Sequence, residues 1–374
     1  MTEIYLWWRI VSPHMAGLAK ALANRGVRTT YVAEREMSES RANQGWQPPP
    51  LGGAGLELAP TAEAATKVID GASPESIHIC QGIRGNGQVG VVQRLLAKRR
   101  LKQWVFMETV DDESPLRFIK RLTYRYLFRR WMASLQGVLA TGWQTSDWVT
   151  ARGFPQDRVV PFAYFLPESA ALKRQAVSEE RSDFRFLFVG QLIQRKRVDN
   201  LIEALSHLEL PAMKLVVLGD GPERGRLEAM ATHALPGRVD WLGRRPMQEA
   251  RAIMGTADCL VLPSRHDGWG AVVSEALMAG TPVVCSDVCG SAGVVRAAGV
   301  GGVFPSGDVD ALRGELEGLA SHGCLTKSER SRLSTWAQCL GADAGADYLL
   351  QILRHTQGEG DRPMPPWEVA PVSW

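Results

Sequence analysis

Nowhere in its 374 residues does the chain string together the roughly 20 uninterrupted apolar residues that a membrane-crossing helix needs. Any bilayer contact is therefore expected to be peripheral. The opening stretch is not expected to act as a secretory signal: MTEIYLWWRIV places an acidic residue ahead of a short apolar run and Arg9 within it. Cysteine is sparse. The six, Cys80, Cys259, Cys285, Cys289, Cys324 and Cys339, are scattered and several lie inside apolar runs, which excludes a disulfide framework and predicts a reduced, cytoplasmic chain. Cys285 and Cys289 have no second Cys or His pair at ligand spacing, so no metal site is expected. A strong charge of either sign is also lacking. With 43 basic against 40 acidic residues the net charge is +3, which gives no reason to expect a nucleic-acid partner.

What is present suits an ordinary globular chain: 45% hydrophobic and 22% charged residues, over a length that can bury two cores. Short apolar runs alternate with helical patterns. Ile4 to Trp8, Arg28 to Ala33, Ser76 to Gln81, Gln103 to Met107 and Gly137 to Thr141 read as strands, and Ala16 to Asn24 reads as a helix. The pattern resumes with FRFLFVG, KLVVLG, VDWLG, DCLVLP and TPVVCSD, so the fold class predicted is α/β, with two Rossmann-like, doubly wound domains facing each other across a cleft. The expected divisions are a first domain over 1–166, a polar linker over 167–183, a second domain over 184–340, and a terminal helix with a flexible, Pro- and Gly-rich tail over 341–374.

The most informative stretch is PSRHDGWGAVVSEALMAG, from Pro263 to Gly280. An apolar run ends there in the Gly-flanked turn HDGWG, which opens a helix at Ala271. Free backbone N–H groups and the positive end of the helix dipole meet at such a point and favour an anion. Asp267 in the turn and Glu275 in the helix could each accept hydrogen bonds from hydroxyls, or could simply cap the helix and face solvent. A second loop follows FRFLFV. In GQLIQRKRV, Lys196 sits between a strand and a helix whose Val198, Leu201, Ile202, Leu205 and Leu208 share one face. An ammonium there can neutralise a diphosphate.

Together these segments resemble the retaining glycosyltransferases of family 4, which have the GT-B fold. In that family two Glu residues with seven between them flank an aromatic-Gly pair; here Asp267 stands at the first and Glu275 at the second. The resemblance, strong from Phe184 to Leu319, implies that Asp267 and the amides of Gly268, Trp269 and Gly270 hold the donor sugar. It implies that Glu275 holds the ribose hydroxyls and that Lys196 neutralises the diphosphate. Gln191 occupies a position where the family has Arg, a role that Arg195 or Arg197 could cover. Gly190 and Gly221 belong to the same strand-end turns, and Arg244, after VDWLG, is placed near the base. The donor implied is a nucleotide sugar, UDP- or GDP-linked, with no further cofactor and no metal. The acceptor implied is a glycan or lipid-linked sugar, in bacterial surface polysaccharide assembly.

The first half matches the family weakly. Many relatives have a His near Glu108, and this chain has none there, so His14 and Glu108 are the candidates for its place, with Gly17 and Gly85 on the acceptor side. Gly85 to Gly90 also spells G-x-G-x-x-G, a dinucleotide fingerprint, with Glu108 downstream. Glu108, Asp111, Asp112 and Glu113 make an acidic loop that either carries chemistry or is solvated. Residues 115–132 hold Arg117, Lys120, Arg121, Arg125, Arg129 and Arg130 without an acid, while Phe118, Ile119, Leu122 and Tyr126 share a face. That face either packs on the sheet or meets an anionic membrane. Beside a glycosyltransferase, the readings left open are a nucleotide-sugar epimerase on the same fold, an NAD(P)-binding oxidoreductase using the Gly85 turn, and a catalytically silent carbohydrate-binding relative.

Overall fold

The computed structural model describes residues 2–37, 48–111, 117–167, 183–210 and 212–369. The linker from 168 to 182, with Asp112, Glu113, Pro115 and Leu116, lies outside the described residues. The chain divides into two compact units, Met1–Glu168 with Leu340–Pro366 and Ser169–Cys339 with Trp367–Trp374.

In the first unit, β1 (Glu3–Ile10), α1 (Pro13–Asn24), β2 (Arg28–Arg35), β3 (Gly55–Leu58), α2 (Ala62–Asp70), β4 (Ile77–Gln81), α3 (Val89–Arg99), β5 (Lys102–Glu108), α4 (Arg117–Trp131), β6 (Leu135–Thr141), α5 (Thr145–Thr150) and β7 (Val159–Phe162) follow in turn. The strands form one sheet in the order β3-β2-β1-β4-β5-β6-β7, all pairs parallel. The centre of this sheet is buried on both faces, which is why IYLWW reads as a continuous apolar run rather than an alternating one. α1 starts at Pro13, earlier than its apolar stripe suggests, because proline's fixed φ suits the first helical position. β3 and β7 escape the sequence reading: the first is an exposed edge, and the second contains Pro161.

The second unit holds β8 (Phe184–Val189), α6 (Val198–Ser206), β9 (Met213–Leu218), α7 (Arg224–Ala234), β10 (Val239–Gly243), α8 (Met247–Thr256), β11 (Cys259–Leu262), α9 (Ala271–Met278), β12 (Val283–Ser286), α10 (Ala292–Ala298), β13 (Gly301–Phe304), α11 (Val309–His322) and α12 (Lys327–Trp336). Its parallel sheet runs β10-β9-β8-β11-β12-β13. The chain winds outward from β8 to β10, then returns to lay β11 on the other side of β8, with Cys259 beside Phe186. Ligands of such sheets bind where the order reverses, at the carboxyl ends of those two strands. Strand ends crowd together there: a Cβ on Gly219 would stand 1.8 Å from the Gly190 carbonyl oxygen, and one on Gly221 2.3 Å from that of Leu192. Glycine is what allows this approach.

After α12 the chain returns to the first unit as α13 (Ala342–Thr356), where Arg25 at the end of α1 pairs with Asp343 and Asp347 at 2.5 Å each. Tyr348 donates its hydroxyl to the Pro161 carbonyl at 2.9 Å. The tail departs from the flexibility that its composition predicts, because α14 (Pro366–Val369) buries Trp367 in the second unit. Among the described residues no helix is long and apolar enough to cross a membrane.

Candidate active site

The loop after β8 brings three basic side chains to the reversal point, and the structure distributes them differently. Arg197, left-handed at φ 50°, turns onto the first turn of α6, donating to Asp199 at 3.1 Å and to the side-chain oxygen of Asn200. Arg195 donates to the main-chain carbonyl of His266, while its own carbonyl accepts from Arg265 N at 2.8 Å. These two bonds tie the β8 loop to the β11 loop. Lys196 reaches across as well, its Nζ lying 2.5 Å from Asp267 Oδ2. Both side chains are mostly buried, at 13% and 15% exposure. Gln191 is exposed and holds none of these groups in the pairs described.

The β11 loop is held from behind by the segment after β12. Gly290 N donates to Asp267 O at 3.0 Å and Ser291 N to Trp269 O at 2.9 Å. A Cβ on Gly290 would lie 2.0 Å from Gly268 O, so the two backbones are in direct contact. Gly270, left-handed at φ 81°, opens α9, with no space for a Cβ beside Leu262. The Trp269 indole points inward, its Nε1 donating to Ser274 Oγ at 3.1 Å, so only its backbone faces the loop. The Ser264 and Ser291 hydroxyls are buried, with no partner among the described residues.

Glu275 lies on α9, and Arg251 of α8 approaches it at 3.2 Å. Burial pushes its carboxyl above the ordinary range, and the neighbouring guanidinium partly opposes that rise. Arg244 follows β10, the edge strand, two strands away from β8, and is exposed. Cys285 and Cys289 are both buried, and the hydrogen bond with Cys289 together with burial pushes the Cys285 thiol well above its ordinary value, as suits a packing group rather than a reactive one. Among the described residues no three His, Cys, Asp or Glu side chains gather as a metal site.

In the first unit the two candidates His14 and Glu108 come together through a residue that sequence reasoning missed. Tyr164, just past β7, donates its hydroxyl to Glu108 Oε1 and sets its ring 5.2 Å from that of His14. Burial and the Glu108 carboxylate push the phenol well above its ordinary value. The only available sequence signal was an aromatic shortly after a weak strand. Gly17 is not on an open surface: a Cβ there would lie 3.0 Å from Pro167.

The G-x-G-x-x-G turn has a different use from the one its spelling suggests. It follows β4 rather than β1, and its amides already serve the protein. Gln88 N donates to Glu34 Oε1 at 2.6 Å, and a Cβ on Gly87 would fall 2.2 Å from the same oxygen. Asn86 binds the carbonyls of Gln81 and Gly82 and the side chain of Gln93. A carboxylate thus occupies the place that a pyrophosphate would take.

α4 also departs from one of its two readings. Its packed face is Tyr124, Leu127, Phe128 and Trp131, against the cluster around Val105 and Val138. Phe118, Ile119, Leu122 and Tyr126 are exposed, at 69%, 59%, 50% and 61%.

Residues 170–335 match the family described as Glycosyl transferases group 1. The matched residues fall within the second unit. Over 167 residues, 44% of this chain, the protein is 30% identical to the lipopolysaccharide core biosynthesis glycosyltransferase LpsE of Rhizobium meliloti. The chain spans about half the length of the first curated relatives that it matches, 48% in that case and 53% for a 2-deoxystreptamine N-acetyl-D-glucosaminyltransferase of Streptomyces fradiae. Among solved structures, the apo lipopolysaccharide outer core galactosyltransferase WaaB superimposes with a TM-score of 0.69 at 14% identity, covering 96% of this chain and all of that one. At this identity the likeness establishes the fold alone, two Rossmann-like parallel-sheet units as in the GT-B glycosyltransferases.

Proposed function

We propose that the protein is a retaining glycosyltransferase that moves a sugar from a nucleotide diphosphate sugar to a glycan or lipid-linked acceptor. The observation that carries this reading is the Lys196–Asp267 pair, set where the second sheet reverses and beside the N-terminus of α9. The hard step in such a transfer is departure of the nucleotide diphosphate. Lys196 is placed to neutralise the charge that develops on it, and the amides of the 268–270 turn to add hydrogen bonds. Asp267 would then release Lys196 and accept from sugar hydroxyls, while Glu275, held by Arg251, would accept from the ribose. No protein nucleophile is invoked, because the leaving phosphate can take the acceptor proton on the same face. The curated relatives named above are a lipopolysaccharide core biosynthesis glycosyltransferase and a 2-deoxystreptamine N-acetyl-D-glucosaminyltransferase, and Anabaena HepE was solved with UDP, at a TM-score of 0.69 and 16% identity. A UDP-sugar is therefore the donor to try first.

His14, Tyr164 and Glu108 form the polar cluster at the carboxyl edge of the first sheet best suited to acceptor hydroxyls. α4, with six basic residues, no acidic one and four exposed apolar side chains, suits the surface of an anionic bilayer, where a lipid-linked acceptor resides. The deciding experiment is calorimetric titration of UDP and UDP-sugars, followed by a transfer assay with membrane extract as acceptor. Binding of UDP that Lys196→Ala abolishes supports the reading, and absence of binding for UDP-, GDP-, ADP- and dTDP-sugars alike overturns it.

A further inference from the structure

The turn Gly268-Trp269-Gly270 has little conformational preference of its own, since glycine flanks its one side chain on both sides and such residues visit both halves of φ space. Something outside the turn must hold its amides in one arrangement. The bonds from Gly290 and Ser291 secure the carbonyl side. The remaining fixed point is the Trp269 indole, exposed by only 3% and bonded to Ser274. Against it lies a ring from the far end of the chain: Trp367, 7% exposed, with centroids 6.3 Å apart and planes inclined by 55°. Tilted aromatic pairs of this kind add energy beyond the area that they bury.

We infer that Trp367 is a positioning residue for the donor turn: the tail, after α13 has run through the first unit, returns to the second to brace Trp269 and thereby the amides at the start of α9. Trp367 touches no reacting group in this arrangement. Removing its indole leaves a void beside Trp269, and the surrounding structure relaxes only in part. A Gly-Trp-Gly turn with a loosened anchor then samples other conformations, and the order of the site is lost before the sheet beneath it is disturbed. The role in donor binding rests on the reading above; the bracing of the turn does not.

The test uses full-length protein with Trp367→Ala and Trp367→Phe. Amide exchange is followed in the peptide containing Gly290 and Ser291, whose N–H groups donate to the turn. In Trp367→Ala these amides should exchange ~10-fold faster or more while amides of β8 and β9 keep their rates, because opening is local. Phe should restore most of the protection. Calorimetric titration of UDP should then show a Kd raised by about 10-fold in Trp367→Ala and rescued by Phe, on the scale of one lost positioning contact. Unchanged exchange at Gly290 and Ser291 overturns the inference, as does equal acceleration throughout the second unit, which would mark a purely structural tryptophan. If wild-type protein binds no UDP, the donor reading fails on its own and the exchange data still decide the brace. If Trp367→Ala does not fold, Trp367→Leu takes its place against Trp367→Phe: faster exchange at Gly290 and Ser291 with unchanged β8 and β9 supports the brace, and unchanged exchange at Gly290 and Ser291 overturns it.

Discussion

Lys196 and Asp267, 71 residues apart in the chain, meet at 2.5 Å with both side chains largely withdrawn from water. The ammonium that would receive a phosphate is already neutralised by a carboxylate of the same unit. On the proposed reading, a ligand anion would compete with Asp267 for Lys196, and ligand hydroxyls would replace the lost charge contact on Asp267.

Asp267→Asn should bind UDP about 3-fold or more tightly than the wild type, since the competing charge is gone. Sugar transfer should nonetheless fall. Lys196→Ala should lose roughly 10²-fold in turnover, the scale of removing one charge-stabilising group. Calorimetry with UDP alone separates the two effects; weaker UDP binding by Asp267→Asn would count against the competition.

Glu275 and Arg251 carry a pH prediction. Burial raises the folded-state pKa of Glu275 above its unfolded value, so the folded state holds the extra proton and stability from this group declines as pH rises through that interval. Arg251→Met removes the guanidinium that opposes the rise. The variant should be less stable by about 3 kcal/mol near neutrality, as for one broken buried pair, and the deficit should shrink at about pH 5. Urea unfolding at the two pH values measures it, and a deficit that grows in acid would refute the assignment.

Arg330 of α12 is the second unit's buried tie. Its guanidinium donates to Asp258 Oδ1 and to the Ala257 carbonyl at 2.8 Å each, with side chains 8% and 1% exposed. Asp258 in turn accepts from Arg185 N at 2.8 Å at the start of β8. Arg330→Met should destabilise by about 3–5 kcal/mol because it strands a buried carboxylate. Removing the exposed Lys67–Glu63 pair should change stability by less than about 0.5 kcal/mol. Similar losses in the two variants, by denaturant titration, would contradict this contrast.

The exposed face of α4 predicts vesicle binding without a change in fold. Replacing Phe118, Ile119, Leu122 and Tyr126 by Ser should abolish sedimentation with vesicles of anionic phospholipid and leave the melting temperature within about 2 °C, since these side chains are exposed and lie outside the buried face of α4. Reversing Arg117, Arg121 and Arg125 to Glu should act in the same direction and remove the salt dependence. Unaltered partition of both variants would dismiss the membrane contact.

Much of this was legible because parallel sheets write themselves plainly. Runs such as FRFLFV and DCLVLP, each ending in a glycine- or proline-marked loop, show strands buried on both faces, and the stripe from Val198 to Leu205 shows the helix that covers them. The loop of Lys196 and the turn of Asp267 could be located for the same reason. β7 was not legible, since Pro161 interrupts its pattern, and with it Tyr164 was lost. The Gly85 turn stayed ambiguous because a spacing of glycines does not say what its amides bind.

Residue order alone determined the alternation of strands and helices, the positions of the loops and the identity of the charges within them, because these depend on local periodicity and on the freedom of glycine and proline. Only tertiary structure decided which loops meet. Strand order set β11 against β8 and so joined Lys196 to Asp267, helix packing set Arg251 on Glu275, and the order of the first sheet brought Tyr164 to Glu108. It also brought Trp367, from a tail whose composition indicates no order, onto Trp269. Pairings of that kind come from burying apolar surface across long sequence separations, a collective property of the whole chain that no short window of residues contains.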